Sequence, residues 1–227
     1  MFSLILAVGF FVGIHLFISG TSLRSRLIDR VGEKLYMLLF AIFSFVGLLW
    51  MIMAYHTAPY IELWGQLSSA RWLSSLLILV AFFFLVVGML SRNPTAIGGE
   101  ALLENKDAAR GIFRITRHPF LMGFAIWSAT HMIYNGDLGS NIFFGGFFIL
   151  SVFGPSAIDK KLRHTANWPD FESKTSVFPF IAIMDQRNSL ELRELLTWRL
   201  VVALIIYVVV FKLHHFMFGV SPIVSAT

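Results

Sequence analysis

Six long apolar segments, separated by polar loops, limit what this chain can fold into. Each approaches the roughly 20 residues that an α-helix needs to cross the hydrocarbon core of a bilayer. The segments are about Phe2–Ser19, Leu35–Tyr55, Leu73–Leu90, Pro119–Tyr134, Ile142–Ile158 and Trp198–Phe218. Since 57% of the residues are hydrophobic and only 14% are charged, the chain lacks the polar surface of a soluble domain. The sequence therefore predicts an all-α, polytopic membrane protein with about six transmembrane helices.

The basic residues of the loops predict how these helices are oriented. Lys and Arg occur in three alternate loops: Arg24 to Lys34, Arg92 to Arg117, and Lys160 to Arg193. The loops His56–Ala70 and Asn135–Asn141 contain neither. Because basic loops stay in the cytoplasm, both termini are expected outside. The net charge of +5 then reflects cytoplasmic loops next to membrane lipid, and we expect no nucleic-acid partner.

Two cytoplasmic stretches are expected to be more than connectors. Ser91–Thr116 is long and of mixed charge, and we expect its second part, Gly99–Ile115, to be a short helix at the interface. Asn167–Met184 places aromatic residues among polar ones and holds two prolines. That pattern is typical of an interfacial or re-entrant segment.

Histidines inside the apolar segments are the first candidates for a functional site. Ionisable groups are costly in a membrane, so each one suggests a function. His15 is flanked by "FFVGI" and "LFIS", and His131 follows Trp127 by four residues. Each could simply be neutral and hydrogen-bonded to a carbonyl. Alternatively, because the chain has no cysteine, two buried histidines on different helices are its strongest ligand pair for a haem iron.

Three features together resemble the NnrU family: the block from Gly13 to Tyr55, the block "RITRHPFLMGFAIWSATHMIYNGD", and the spacing between them. The resemblance covers about Met1–Arg163 and includes a plant branch, the 15-cis-zeta-carotene isomerases. It implies a haem b protein whose axial ligands fall on His15 and His131. The plant branch has a cysteine where this chain has Ser128, so a thiolate ligand exchange is not expected here. The bacterial branch implies the inner membrane, periplasmic termini, and an association with nitrite and nitric oxide respiration.

The expected depths of the histidines leave other ligand pairs open. His131 lies roughly 20 Å along its helix from His118, and His15 is expected near the level of His118. A broken or tilted fourth helix, or a deeper His15, would bring His15 and His131 together. Otherwise His15 with His118, or His56 with His131, are the pairs matched in depth. His15 and His131 remain the first choice, and His118 is a conditional third candidate.

The Arg-His-Pro at residues 117–119 also resembles the isoprenylcysteine methyltransferase superfamily, membrane enzymes that use S-adenosylmethionine. The resemblance implies that Arg117, His118 and Asp159 converge on a cytoplasmic cofactor pocket. Asp159 and Lys160 stand where that superfamily has two glutamates. Because a lysine repels the ammonium and the sulfonium of S-adenosylmethionine, methyl transfer is the alternative prediction.

A third alternative is a non-enzymatic subunit that serves a respiratory or redox partner protein. No acid–base dyad or nucleophile stands out within the apolar segments, which favours this class. For domain organisation, we expect an NnrU-like membrane domain over residues 1–184. Residues 185–227 are expected to form a cytoplasmic linker and a C-terminal transmembrane helix.

Overall fold

The computed structural model describes residues 1–67, 71–96, 98–105 and 108–222, and these residues form a helical membrane protein. The long helices are α1 Phe2–Ser19, α3 Glu33–His56, α4 Arg71–Leu90, α6 Pro119–Asn135, α7 Leu138–Leu162 and α11 Trp198–Phe218. The short helices are α2 Leu23–Val31, α5 Ile112–Ile115, α8 Trp168–Lys174, α9 Ile181–Met184 and α10 Leu192–Leu195. A 3₁₀ turn covers Glu100–Glu104. The predicted all-α fold is confirmed.

Five of the six predicted membrane segments are helices long and apolar enough to span a bilayer. The remaining one, α6, has 17 residues and is unbroken from Pro119 to Asn135. It is therefore not the broken helix that would have reconciled the depths of His15 and His131. The structure extends the fifth segment by four residues at each end, since α7 runs from Leu138 to Leu162.

The predicted interfacial helix Gly99–Ile115 is wrong as a single element. The 3₁₀ turn ends at Glu104, and Asn105 is extended with φ −81° and ψ 124°. Gly111 has φ +60°, a conformation that favours glycine and that interrupts any helix before α5. Lys106, counted above among the basic loop residues, and Asp107 lie outside the described residues.

The chain divides into two compact units. The first unit comprises Met1–Leu67 and Ser128–Ala157, and the second comprises Ser68–Trp127 and Ile158–Thr227. The sequence placed its boundary at residues 184 and 185 instead, and that division stays a prediction.

In the first unit, α1 packs along α3. Gly47 lets the two helices approach, because a Cβ there would lie 3.1 Å from the Phe10 ring. Phe10 in turn contacts Trp50, with ring centroids 6.2 Å apart. The loop after α3 is fastened to the turn between α6 and α7, since the amides of Leu63, Trp64 and Gly65 all donate to the Gly136 carbonyl.

The second unit is held by an apolar core that joins its short helices to α4 and α11. The buried members are Phe84, Val87, Leu103, Ile112, Phe113, Ile115, Leu162, Trp168, Phe171, Leu195 and Ala203. The start of α6 lies directly against α4: a Cβ on Gly123 would meet the Leu85 amide nitrogen at 2.7 Å. Of the predicted interfacial stretch Asn167–Met184, Trp168 and Phe171 are buried, whereas Phe178 and Met184 are exposed.

Candidate functional site

The residues before α6 are held in an extended strand-like segment. The residue that precedes a proline is driven out of the helical region, so Pro119 starts α6 and leaves His118 outside it. The Thr116 hydroxyl donates to the Val177 carbonyl at 2.6 Å. The Arg117 amide donates to the Ser176 carbonyl at 2.8 Å. These two bonds fix where the Arg117 and His118 side chains begin.

His118 and Asp159 form a buried hydrogen-bonded pair in the second unit. His118 Nε2 lies 2.7 Å from Asp159 Oδ1. Only 3% of His118 and 7% of Asp159 are exposed. Burial lowers the pKa of His118, and Arg117 lowers it further, while the bond to Asp159 opposes both. We therefore take His118 as neutral near pH 7, with Nε2–H donating to the carboxylate.

Arg117 supplies the positive charge of this cluster. Its Nη1 lies 3.7 Å from Asp159 Oδ2 and 3.5 Å from Glu172 Oε1. Its guanidinium stacks on the Trp168 ring at 5.5 Å from the centroid. Trp168 Nε1 donates to the other Glu172 oxygen at 3.1 Å. Among the described residues, Arg117 Nε and Nη1 make no hydrogen bond although both are buried.

The structure thus brings together Arg117, His118 and Asp159, three of the five residues that the sequence singled out. The sequence missed Trp168 and Glu172, which complete the cluster. The signal was present, because residues four apart on a helix share a face and α8 carries both. The five side chains form a charge network in which all but Glu172 are buried, and its role in cofactor binding stays a prediction.

His15 lies in the first unit, in a π-helical turn. The last six residues of α1, Ile14–Ser19, are wound as a π-helix, a form often found at functional sites. His15 Nδ1 lies 2.7 Å from the Phe11 carbonyl oxygen. When Nδ1–H donates to that carbonyl, the Nε2 lone pair is left for another partner. The imidazole also contacts the rings of Phe11 and Phe40, at 4.4 and 5.2 Å between centroids.

His131 lies in the part of α6 that belongs to the first unit. Its ring stacks on Phe144, with centroids 4.5 Å apart and planes at 20°. Ring contacts connect it to His15 through Phe144, Phe143, Phe147 and Phe11. The edges of the phenyl rings and the two imidazoles make a continuous aromatic row across this unit.

These residues fit a haem iron in their donor chemistry, while the row of ring contacts places four phenyl rings between the two imidazoles. Imidazole is a common axial ligand, and a ligating histidine usually donates its other N–H to a carbonyl, as His15 does. The phenyl rings provide apolar surroundings of the kind that a porphyrin requires. Ser128, which is fully buried, offers no thiolate.

The remaining histidines show no comparable setting. His56 is exposed at the last residue of α3, and His164 is exposed after α7. His214 Nδ1 lies 2.8 Å from the Val220 carbonyl, near the end of α11. His56 thus lies at the surface. The sequence had left two possibilities for it, an interfacial position and a haem ligand paired with His131.

Comparison with known proteins defines the class to which this fold and these residues belong. Residues 3–222 match the family described as NnrU protein. The chain belongs to the NnrU family.

Two curated relatives are plant proteins named 15-cis-zeta-carotene isomerase, chloroplastic. The one from Zea mays is 30% identical over 178 residues, and the one from Arabidopsis thaliana is 27% identical over 178 residues. Each alignment covers 74% of this chain and 47% of the relative. The chain therefore spans about half the length of the curated relatives it matches. No solved structure matches it significantly.

Proposed function

We propose that this NnrU-family protein binds haem b in its first unit, where His15 and His131 would be the residues that hold it. The observation that carries the proposal is the hydrogen bond from His15 Nδ1 to the Phe11 carbonyl in the π-helical turn. It fixes the tautomer and leaves Nε2 as the ligand atom. A half-buried histidine with no such task would be a cost inside a membrane-spanning helix.

The surrounding side chains would set the properties of the site. Phe11, Phe40 and Phe144 contact the two imidazoles and make their surroundings apolar. A bis-histidine haem supplies one-electron redox chemistry when it is bound. Because Ser128 cannot replace the cysteine of the plant branch, the coordination is expected to stay bis-histidine.

The substrate class follows from the relatives. Both curated relatives are named for the isomerisation of a carotene. We therefore propose carotenoid-isomerase-like redox chemistry on an apolar polyene that reaches the site through the bilayer. A role in nitrite and nitric oxide respiration, beside a redox partner protein, is the alternative that the bacterial branch suggests. The proposed location is a bacterial inner membrane with both chain ends in the periplasm, on the strength of the basic loops.

A series of single histidine variants tests the haem ligands. We would purify each variant from haem-replete cells and measure haem per protein by pyridine haemochrome. His15→Ala and His131→Ala should each lose most of the haem, whereas the matched controls His56→Ala and His214→Ala should keep it. Full retention in His15→Ala, with unchanged reduced spectra, would remove His15 and its pair from the proposal.

Methyl transfer remains the second candidate, because Arg117, His118 and Asp159 do converge in the second unit. A buried guanidinium with unused donors could hold the carboxylate of S-adenosylmethionine. Calorimetry of the purified protein with S-adenosylmethionine decides between the two. Heat of binding that disappears in Arg117→Gln would support methyl transfer. No heat at millimolar S-adenosylmethionine would rule it out.

A further inference from the structure

A polar pocket in the second unit lies outside the charge network described above. Its volume is about 380 Å³, and it is lined by Ala109, Arg110, Arg114, Lys174, Arg187, Asn188 and Glu194. Four of these seven residues are cationic. None of them belongs to the proposed haem site, so the pocket requires its own explanation.

Side-chain and backbone bonds build this pocket from three separate segments of the chain, around Arg114, Lys174 and Glu194. Glu194 accepts from Arg114 Nε at 2.8 Å and from Arg114 Nη2 at 3.0 Å. Asn188 donates to the carbonyls of Ala109 and Lys174. Arg187 Nη1 donates to the carbonyls of Ser173 and Thr175, at 2.7 and 2.9 Å. The pocket walls are therefore preorganised.

The charge balance of the pocket favours one negative charge. Arg114 holds Glu194, whose pKa it lowers, so this carboxylate stays ionised. Lys174 pairs with Asp170 at 2.8 Å and Arg187 pairs with Asp185 at 3.1 Å. Arg110 forms no ion pair with the residues that the structure describes. Among the described residues, Arg110 is thus the one cation of the pocket without an ion pair. Its single positive charge matches the single negative charge of a phosphodiester.

The position of the pocket in the chain points to the membrane surface. Glu194 precedes the spanning helix α11 by four residues, and Arg114 precedes the apolar helix α6 by five. Large apolar side chains stand exposed on the same segment, with Leu192 60%, Leu196 69% and Trp198 59% exposed. Exposed apolar residues beside cations at the end of a spanning helix are typical of the headgroup level of a bilayer.

We propose that the pocket lined by Arg110, Arg114, Lys174 and Arg187 binds the phosphodiester headgroup of an anionic phospholipid. Arg110 and Lys174 contact the phosphate oxygens, and the acyl chains lie along Leu192, Leu196 and Trp198. A free phosphate has the same chemistry but lacks the chains.

Lipid retention in native mass spectrometry tests the proposal on the full chain. The purified protein is exchanged with phosphatidylglycerol or with phosphatidylcholine, and bound lipid is counted at rising collision energy. We expect phosphatidylglycerol to be retained in preference. Arg110→Gln and Lys174→Gln should each weaken its binding about fivefold. The controls Arg193→Gln and Lys160→Gln, which change exposed cations outside the pocket, should not.

Three outcomes would overturn the lipid site. The protein could retain both lipids equally, or the pocket and control variants could lose the same amount of bound lipid. Displacement of the lipid by millimolar inorganic phosphate would identify a free phosphate as the ligand. Because Arg110 is exposed, its variant should keep its unfolding midpoint, so a loss of binding reports on the pocket and not on the fold.

Discussion

The two units of this protein use their buried polar groups in opposite ways. In the first unit, His15 and His131 stand among phenyl rings, and the ion pair Arg24–Glu33 is on the surface. In the second unit, Arg117, His118 and Asp159 neutralise one another inside the protein. The imidazoles of the first unit contact aromatic rings, whereas Arg117 and His118 of the second unit both lie beside the Asp159 carboxylate. Burial of a histidine therefore does not by itself indicate that it is a ligand of a cofactor.

Removal of Asp159 should break the second unit most severely. Asp159→Ala leaves Arg117 with only the half-exposed Glu172 and takes the acceptor from His118. Loss of one partner from a buried ion pair costs about 3–5 kcal/mol, which we expect as the loss in free energy of unfolding in detergent. The control Asp170→Ala, at an exposed pair, should cost less than about 1 kcal/mol. Equal effects would mean that the network does not stabilise the unit.

A methyl group on Gly123 should be the next most harmful change. Its Cβ would lie 2.7 Å from the Leu85 nitrogen and 2.9 Å from the Ala81 oxygen. Both are backbone atoms, which cannot relieve the clash by changing a side-chain rotamer. Gly123→Ala should therefore destabilise the protein by about 1–3 kcal/mol in the same unfolding assay. Gly9→Ala, in the first unit, faces open space inside α1 and should raise stability by up to about 1 kcal/mol, because alanine favours the helix. A neutral Gly123→Ala would show that α4 and α6 are not in close contact.

The pH dependence of stability should come from the second unit. Burial holds the pKa of His118 below its usual 6.5. On acidification, His118 therefore binds a proton in the unfolded chain before it does so in the folded chain. Stability should then be complete above pH 6.5 and fall as the pH drops below it, by up to about 1.4 kcal/mol per pH unit. Urea titrations at pH 7.5 and pH 5.5 measure this slope. His118→Gln should flatten it, and an unchanged slope in that variant would assign the titration to another group.

The smallest effect is expected at the surface pair of the first unit. Arg24 and Glu33 lie 3.7 Å apart, and the Glu33 side chain is 70% exposed. Glu33→Gln should shift the free energy of unfolding by less than about 1 kcal/mol, and the shift should shrink with added salt. A larger, salt-independent loss would contradict the contrast between the two units.

Much of the fold could be predicted because membrane helices can be recognised in a sequence by their length and apolar composition. The limits of α7 and the backbone conformations of Asn105 and Gly111 could not, since they depend on glycine conformation and on side-chain contacts. In the site, Arg117, His118 and Asp159 were predicted as a group through a family pattern. Their partners Trp168 and Glu172 were missed: their spacing predicts one shared helix face, but only tertiary contacts join that face to Arg117. The π-helical turn at His15 likewise has no signal in the sequence.

The haem b that we propose for the first unit would be held by His15 and His131. The most direct measurement is the absorption spectrum of the detergent-purified protein, oxidised and then reduced with dithionite. The account predicts about one haem per chain, a Soret band that shifts on reduction, and resolved α and β bands of a six-coordinate b-type haem. A colourless protein from haem-replete cells would contradict it.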